Sequence, residues 1–166
     1  RQETLLSTIE WSHDLLEPDE RTLFRRLGVF AADFSLEAAE GVCADADIDE
    51  LDVLDLIAAL VDKSMVTTEQ GTDGATRYQL LESIREFARR RLDDAGETEP
   101  LHERHAVHFA GDAEALQAMQ RAGKLSEALL ALDANEAEYR SALGFTTGSR
   151  RDELAGRLVA GLGYLW

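Results

Sequence analysis

One stretch of the chain, residues 49–92, constrains the fold more than any other. Its hydrophobic spacing predicts a helix over Glu50–Lys63, strands over Met65–Thr68 and Thr76–Leu81, and a second helix over Glu82–Leu92. Two glycines and an aspartate lie between the strands, and these residues favour turns. An isolated two-stranded hairpin is marginally stable in water, so this one must pack on neighbouring helices. The order helix, hairpin, helix predicts the second half of a winged helix.

Three more helices are predicted before this stretch. Leu5, Ile9 and Leu16 recur at roughly helical spacing, Pro18 suits the first position of a second helix, and Ser35 can cap a third. The arginines of the second helix lie largely off its apolar stripe. The residues that we expect to form one core are Trp11, Leu23, Phe24, Leu27, Leu54, Ile57, Leu60, Tyr78, Ile84 and Phe87.

An acidic segment, residues 93–100, marks a candidate domain boundary, because it also contains a glycine and a proline. We therefore assign residues 1–96 to a winged-helix domain and residues 97–166 to a second domain. Alanine and leucine patterns predict helices at roughly 100–121, 125–144 and 150–166. Ser149 and Asp152 resemble a capping box at the start of the last helix. The predicted fold is mainly α, a winged helix followed by antiparallel helices of a TPR-like α-solenoid.

Charge argues against nucleic acid and anionic membranes as partners. The chain has 33 acidic and 17 basic residues, a net charge of −16, whereas phosphate binding needs clustered Lys and Arg. The helix that would enter DNA carries Asp52, Asp55 and Asp62, and only Lys63 is basic. We therefore predict no direct contact with nucleic acid and no membrane partner. A DNA-binding winged helix is the alternative.

Compartment and chain ends give further expectations. A single cysteine, Cys43, and no signal peptide favour a reducing cytoplasm. Both ends fall inside hydrophobic patterns, so we expect a piece of a larger protein. Leu162, Leu165 and Trp166 should then be exposed and promote self-association.

No pattern in the chain is typical of catalysis, so we predict that it is not an enzyme. His102, His105 and His108 do not share one helix face, whereas a metal site needs converging ligands. The pair Gly123-Lys124 lacks the other residues of a phosphate-binding loop. Catalytic, cofactor-binding and metal-binding residues are therefore predicted to be absent. The basic run at residues 89–91 is read as structural, because acidic residues share its helix.

Several motifs in order resemble one family. TIEWSHDLL (8–16), LFRRLGVF (23–30), LEAAE (36–40), LVDKSMV (60–66) and YQLLESIRE (78–86) closely resemble a segment of bacterial signal-transducing ATPases of the STAND class. These occur in LuxR-type and SARP-type transcription regulators and in nucleotide-cyclase fusions. The resemblance covers roughly residues 1–110. It implies a regulatory module that couples nucleotide state to ligand or protein binding at the repeats. ATP or ADP would bind a separate ATPase domain, not this chain.

The resemblance also implies one intramolecular contact. Related proteins often carry a methionine-histidine-aspartate motif whose histidine reaches the diphosphate of ADP. That motif aligns with Leu80-Leu81-Glu82 here, and leucine cannot donate a hydrogen bond to a phosphate. Leu81, Glu82 and Arg85 are therefore the candidate contact with the ATPase domain. The alternative is that Leu81 belongs to the winged-helix core.

Overall fold

The structure is a computed structural model that describes residues 1–148 and 151–166. The described residues contain nine α-helices, one 3-10 turn and a two-stranded antiparallel sheet, which confirms the predicted mainly α fold. The helices are α1 (Gln2–Asp14), α2 (Pro18–Leu27), α3 (Leu36–Cys43), α4 (Val53–Asp62), α5 (Glu82–Asp94), α6 (Thr98–Arg121), α7 (Leu125–Ala134), α8 (Glu136–Gly148) and α9 (Asp152–Leu162). The strands are β1 (Thr67–Gln70) and β2 (Thr76–Gln79).

Helix α2 lies at the centre of the N-terminal half. Pro18 occupies its first turn, and the Glu20 carboxylate accepts a hydrogen bond from the Glu17 amide at 3.2 Å in a capping box. Phe24 is fully buried, as predicted. Helix α5 crosses so close to the end of α2 that a Cβ on Gly28 would lie 3.0 Å from the Arg89 amide nitrogen. Glycine at this position therefore permits the close packing of the two helices.

The hairpin is held by the loop between α2 and α3, residues 28–35. Phe34 and Tyr78 exchange two backbone hydrogen bonds of 2.8 and 2.9 Å, which adds a short third strand segment. The first strand was predicted to begin at Met65, but β1 begins at Thr67. The difference arises because Ser64 adopts a left-handed conformation (φ 59°) and the Met65 amide donates to the Leu60 carbonyl, which ends α4.

Helices α6–α9, here called the helical array, form the C-terminal half. Helix α9 packs along α6 so closely that a Cβ on Gly161 would lie 2.6 Å from the Ala113 carbonyl carbon. The single helix predicted over 125–144 is wrong, because the chain breaks at Asn135. The Asn135 carbonyl accepts from Glu138 and Tyr139 and begins α8. The predicted capping residue Ser149 lies outside the described residues.

Some of the residues predicted to form the core are exposed in the structure. Trp11 is 66% exposed and Leu54 is 46% exposed, so neither belongs to it. We predicted that Leu162 is exposed, and this is wrong, because it is buried against the rest of the array. The predicted core residues that are buried are Leu23, Phe24, Leu27, Ile57, Leu60 and Phe87, and those that are partly buried are Tyr78 and Ile84.

The buried residues form one hydrophobic cluster that extends from α1 to α9. Helix α6 contributes to both halves, because it packs on α3 as well as on α7, α8 and α9. The division of the chain at residue 96 stays a prediction, as does the TPR-like character of the array. In the part of the chain that the structure describes, no helix has the length and apolar character needed to cross a membrane.

Candidate functional site

The candidate site is a helix-turn-helix formed by α3 and α4, with the β1–β2 hairpin as its wing. Ser35 caps α3 by accepting a hydrogen bond from the Ala38 amide at 3.1 Å. In the turn between the helices, the Asp45 carboxylate accepts from the Asp47 amide at 2.8 Å. The buried side chain of Ile48 anchors the same turn in the core. Local capping and one apolar anchor thus set the position of α4 relative to α3.

The outer face of α4, defined here as Leu54, Asp55, Ala58 and Asp62, is exposed. It combines two apolar side chains with two carboxylates. Lys63, which directly follows this face in the sequence, forms an ion pair with Glu20, with 2.6 Å between Nζ and the carboxylate oxygen. The face is therefore acidic and partly apolar.

The wing carries little positive charge toward solvent. Residues 68–70 and 72–76 are exposed and uncharged or acidic. The single arginine of the hairpin, Arg77, is buried, and its Nε donates to the Asp33 carboxylate at 2.9 Å. The wing therefore presents mainly hydroxyl, amide and carboxylate groups.

A cluster of ion pairs around one buried arginine, Arg26, ties the turn of the helix-turn-helix to the rest of the chain. Arg26 in α2 is 2% exposed. It lies 2.9 Å from an Asp45 oxygen and 2.8 Å from a Glu97 oxygen, and it donates to the Cys43 carbonyl at 2.9 Å. Burial opposes the charge of Arg26, but the hydrogen bond to Asp45 and the charge of Glu97 raise its pKa above the ordinary value. We call these four residues the Arg26 cluster.

The helical array contacts the same turn. Arg104 in α6 donates a hydrogen bond to the Ala44 carbonyl and lies 3.5 Å from an Asp45 oxygen. Burial would raise the pKa of Asp45, but Arg26 and the backbone amides of Asp47 and Ile48 lower it. Asp45 therefore stays ionised in the folded chain at neutral pH, between cations from α2 and α6.

The three candidate contact residues lie at the start of α5. Leu81 is 55% exposed, so the alternative that it belongs to the core is wrong. Glu82 and Arg85 form an ion pair of 2.7 Å, and Arg85 also donates to the Ala31 carbonyl. Arg85 is thus held toward the domain, while Leu81 and Glu82 point outward. The contact with an ATPase domain stays a prediction.

The histidines of α6 have separate surroundings. His102 stacks on Phe145, and His105 is buried 2.7 Å from a Glu138 oxygen. Burial lowers the pKa of His102 and of His108, so both are neutral at pH 7. Across residues 1–148 and 151–166, no group of three or more His, Cys, Asp or Glu side chains could hold a metal ion.

Sequence reasoning missed the Arg26 cluster. Arg26 was placed largely off the apolar stripe of α2, which is wrong. It follows Leu23 by three residues and precedes Phe30 by four, and this spacing was the available signal. The basic run on α5 is structural in part, because Arg89 donates to the Gly28 carbonyl at 2.9 Å and Arg90 pairs with Glu86 at 3.2 Å.

Comparison with known proteins identifies the N-terminal half. Residues 16–93 match the family described as "Winged helix-turn-helix domain". Proteins named "Putative HTH-type transcriptional regulator" from Mycobacterium tuberculosis and Mycobacterium bovis are 44% identical over 116 residues, which is 70% of this chain. An uncharacterized Mycobacterium bovis protein is 39% identical over 109 residues, or 65% of this chain. The chain spans 13% of the length of the first two relatives and 28% of the third. No solved structure matches the chain significantly.

These findings overturn one prediction. We predicted no direct contact with nucleic acid, and this is wrong, because a winged helix-turn-helix domain and relatives named as HTH-type regulators point to DNA binding. The prediction relied on the net charge and on the acidic residues of the helix that would enter DNA, but charge alone does not decide which base edges a helix can contact. Contacts with base edges involve only a few side chains and include uncharged and acidic ones. Residues 16–93 therefore have a winged-helix fold and match the winged helix-turn-helix family, in a chain similar to mycobacterial proteins named as transcriptional regulators.

Proposed function

We propose that this chain is the regulatory part of a transcription regulator and that its winged helix-turn-helix domain binds duplex DNA. One observation carries the proposal: α3, the turn and α4 form a helix-turn-helix whose second helix has an exposed outer face. In domains of this kind the second helix lies in the major groove and contacts base edges.

The composition of the outer face indicates how bases would be read. Leu54 and Ala58 offer apolar contacts to thymine methyl groups, and the Asp55 carboxylate can accept a hydrogen bond from the amino group of cytosine. The outer face itself carries two carboxylates and no cation that could neutralise a phosphate. We therefore expect weak binding with a shallow dependence on salt, because that dependence counts phosphate contacts.

Fluorescence anisotropy with labelled duplexes, selected from a random library at low salt, tests this proposal. Ala58→Glu should weaken binding to the selected duplex by about tenfold or more, because it places another carboxylate in the groove. Ala118→Glu is the matched control, since Ala118 is an exposed alanine on α6. If no duplex binds at low salt, or if Ala58→Glu binds as tightly as the unmodified chain, the proposal is wrong.

We further propose that DNA binding is coupled to nucleotide state in an ATPase domain of the parent protein. The resemblance to STAND-class regulators of the LuxR and SARP types supports this, as does the much greater length of the relatives. ATP or ADP would bind that domain, and this chain would contact it through Leu81, Glu82 and Arg85. The exposure of Leu81, beside an ion pair that orders Glu82, fits a packing contact.

Nucleotide release from the full-length parent tests the coupling. Leu81→Asp should accelerate the release of a fluorescent ADP analogue and leave the unfolding midpoint of the isolated chain unchanged. Leu130→Asp is the matched control, because Leu130 on α7 is also 55% exposed. Unchanged release from the Leu81→Asp protein would overturn the contact.

A further inference from the structure

The junction between α7 and α8, defined here as Ala134, Asn135 and Glu138, lies against the winged helix-turn-helix domain. Glu138 is 1% exposed, and its carboxylate is fully partnered. It accepts hydrogen bonds from the Ala32 amide at 2.8 Å and the Ala31 amide at 3.1 Å. One of its oxygens also lies 2.7 Å from His105 Nε2. A charged group of the helical array thus fixes the backbone of the α2–α3 loop.

A second set of bonds runs from the wing to the same junction. Arg77 Nη2 donates to the Ala134 carbonyl and to the Asn135 side-chain oxygen, each at 3.0 Å. The same guanidinium binds the Asp33 carboxylate and the Asp33 carbonyl in the α2–α3 loop. Arg77 therefore joins the wing, the loop and the array.

The two sets of bonds are connected through the loop. Ala31 and Ala32, which Glu138 binds, precede Phe34, which pairs with Tyr78 in the wing. A displacement of α8 would break both amide bonds and leave two partly buried N–H groups without their carboxylate acceptor. Losing these bonds costs free energy, so the junction resists displacement of α8.

We infer that the α7–α8 junction couples the helical array to the wing. When it is engaged, the wing is held against the α2–α3 loop; when the array shifts α8, the wing loses that support. This inference rests on the proposed DNA-binding function, because the wing flanks the candidate DNA-contacting helix. By thermodynamic linkage, an event that releases the junction must change the affinity for any ligand that prefers the supported wing.

Hydrogen exchange of the intact chain, measured by mass spectrometry, tests the coupling without DNA. In Glu138→Gln an NH2 group replaces one of the two carboxylate oxygens. The backbone amide of Ala31 or of Ala32 then faces a donor and loses its acceptor. Exchange at residues 31–35 and in the wing, 67–79, should rise by about tenfold or more. Glu136→Gln is the matched control on the same helix, because its partner is the exposed Arg140. It should leave both segments unchanged.

A second variant and a DNA-binding measurement distinguish failure of the coupling from failure of the proposed function. Asn135→Ala removes one bond to Arg77 at a partly exposed position, so it tests the wing contact if Glu138→Gln fails to fold. Faster exchange confined to α8 and the loop, with the wing unchanged in both variants, would overturn the coupling. DNA affinity is then measured for the same proteins. If the unmodified chain binds no DNA but the wing exchanges faster in the variants, the proposed function fails and the coupling stands.

Discussion

Two buried charges join the winged helix-turn-helix domain to the chain that follows, and they do so by different means. Arg26 is neutralised by the side-chain carboxylates of Asp45 and Glu97, at 2.9 and 2.8 Å. Glu138 is held by the backbone amides of Ala31 and Ala32 and by a histidine. Attraction between charges falls gradually with distance, whereas hydrogen bonds to backbone amides require a narrow geometry. We therefore expect the Arg26 cluster to supply stability and the Glu138 contact to supply position.

Removing the charge of Arg26 should have the largest effect on stability. Arg26→Met leaves the partly exposed Asp45 and Glu97 with one cation fewer and removes the buried hydrogen bond to the Cys43 carbonyl, so the free energy of unfolding should fall by about 2–5 kcal/mol. Urea unfolding followed by circular dichroism measures the loss. Arg90→Met, which breaks the exposed pair with Glu86, is the control and should cost no more than about 0.5 kcal/mol. A loss below about 1 kcal/mol for Arg26→Met would contradict a stabilising role for the cluster.

Glu138→Gln should reduce stability less, by about 1–3 kcal/mol, because one buried hydrogen-bonding group is mismatched. Combining it with Arg26→Met in a double-mutant cycle tests whether the two sites act separately. Separate sites should be additive to within about 0.5 kcal/mol. A larger interaction energy would show that the two contacts form one network, and the distinction between them would then be lost.

Acidification should reduce stability through His13 and not through the Arg26 cluster. Burial and the nearby Arg91 and Arg21 lower the pKa of His13, so the unfolded chain binds a proton more readily than the folded chain does. Stability should therefore fall as the pH drops through the ordinary histidine range, from about 7.5 to 5.5. Asp45 keeps its charge in this window because its pKa is lowered.

Urea midpoints at both pH values, compared between the unmodified chain and His13→Gln, measure this contribution. The variant should show a smaller loss on acidification. An equal loss in both proteins would assign the pH dependence to other groups, such as His102 and His108, whose pKa values are also lowered.

The smallest effect is expected for Trp11, which takes part in neither contact. Trp11→Ala should change the free energy of unfolding by no more than about 0.5 kcal/mol, because the indole is mostly exposed. Phe24→Ala is the reference for a core aromatic and should cost about 3–5 kcal/mol. Thermal unfolding compares the two directly. A large loss for Trp11→Ala would mean that α1 packs more firmly than its exposure indicates.

The helices and the hairpin could be predicted because their signals are local. Apolar spacing indicated α2, α4 and α5, and the glycine-rich turn indicated the wing. Apolar spacing does not say whether an apolar side chain faces the core or solvent, which is why Trp11 and Leu54 were misplaced. A run of good helix formers also conceals a break at a single residue such as Asn135.

The contacts between the two halves could not be predicted, because their partners are far apart in sequence. Arg26 and Glu97 are separated by 71 residues, and Ala31 and Glu138 by 107. No local pattern links such positions. The charge argument against DNA failed because it counted the charges of the surface and of α4, whereas uncharged and acidic side chains also contact base edges.

Because Cys43 is buried, chemical labelling of its thiol can measure local opening of the chain. Burial raises the pKa of its thiol to about 12, and its carbonyl oxygen is bound by Arg26. The thiolate is the reactive form of cysteine, so the closed chain should be inert to disulfide reagents at neutral pH. Modification then requires a local opening that exposes the thiol. The rate of labelling at this single cysteine therefore reports how often the structure around the end of α3 opens.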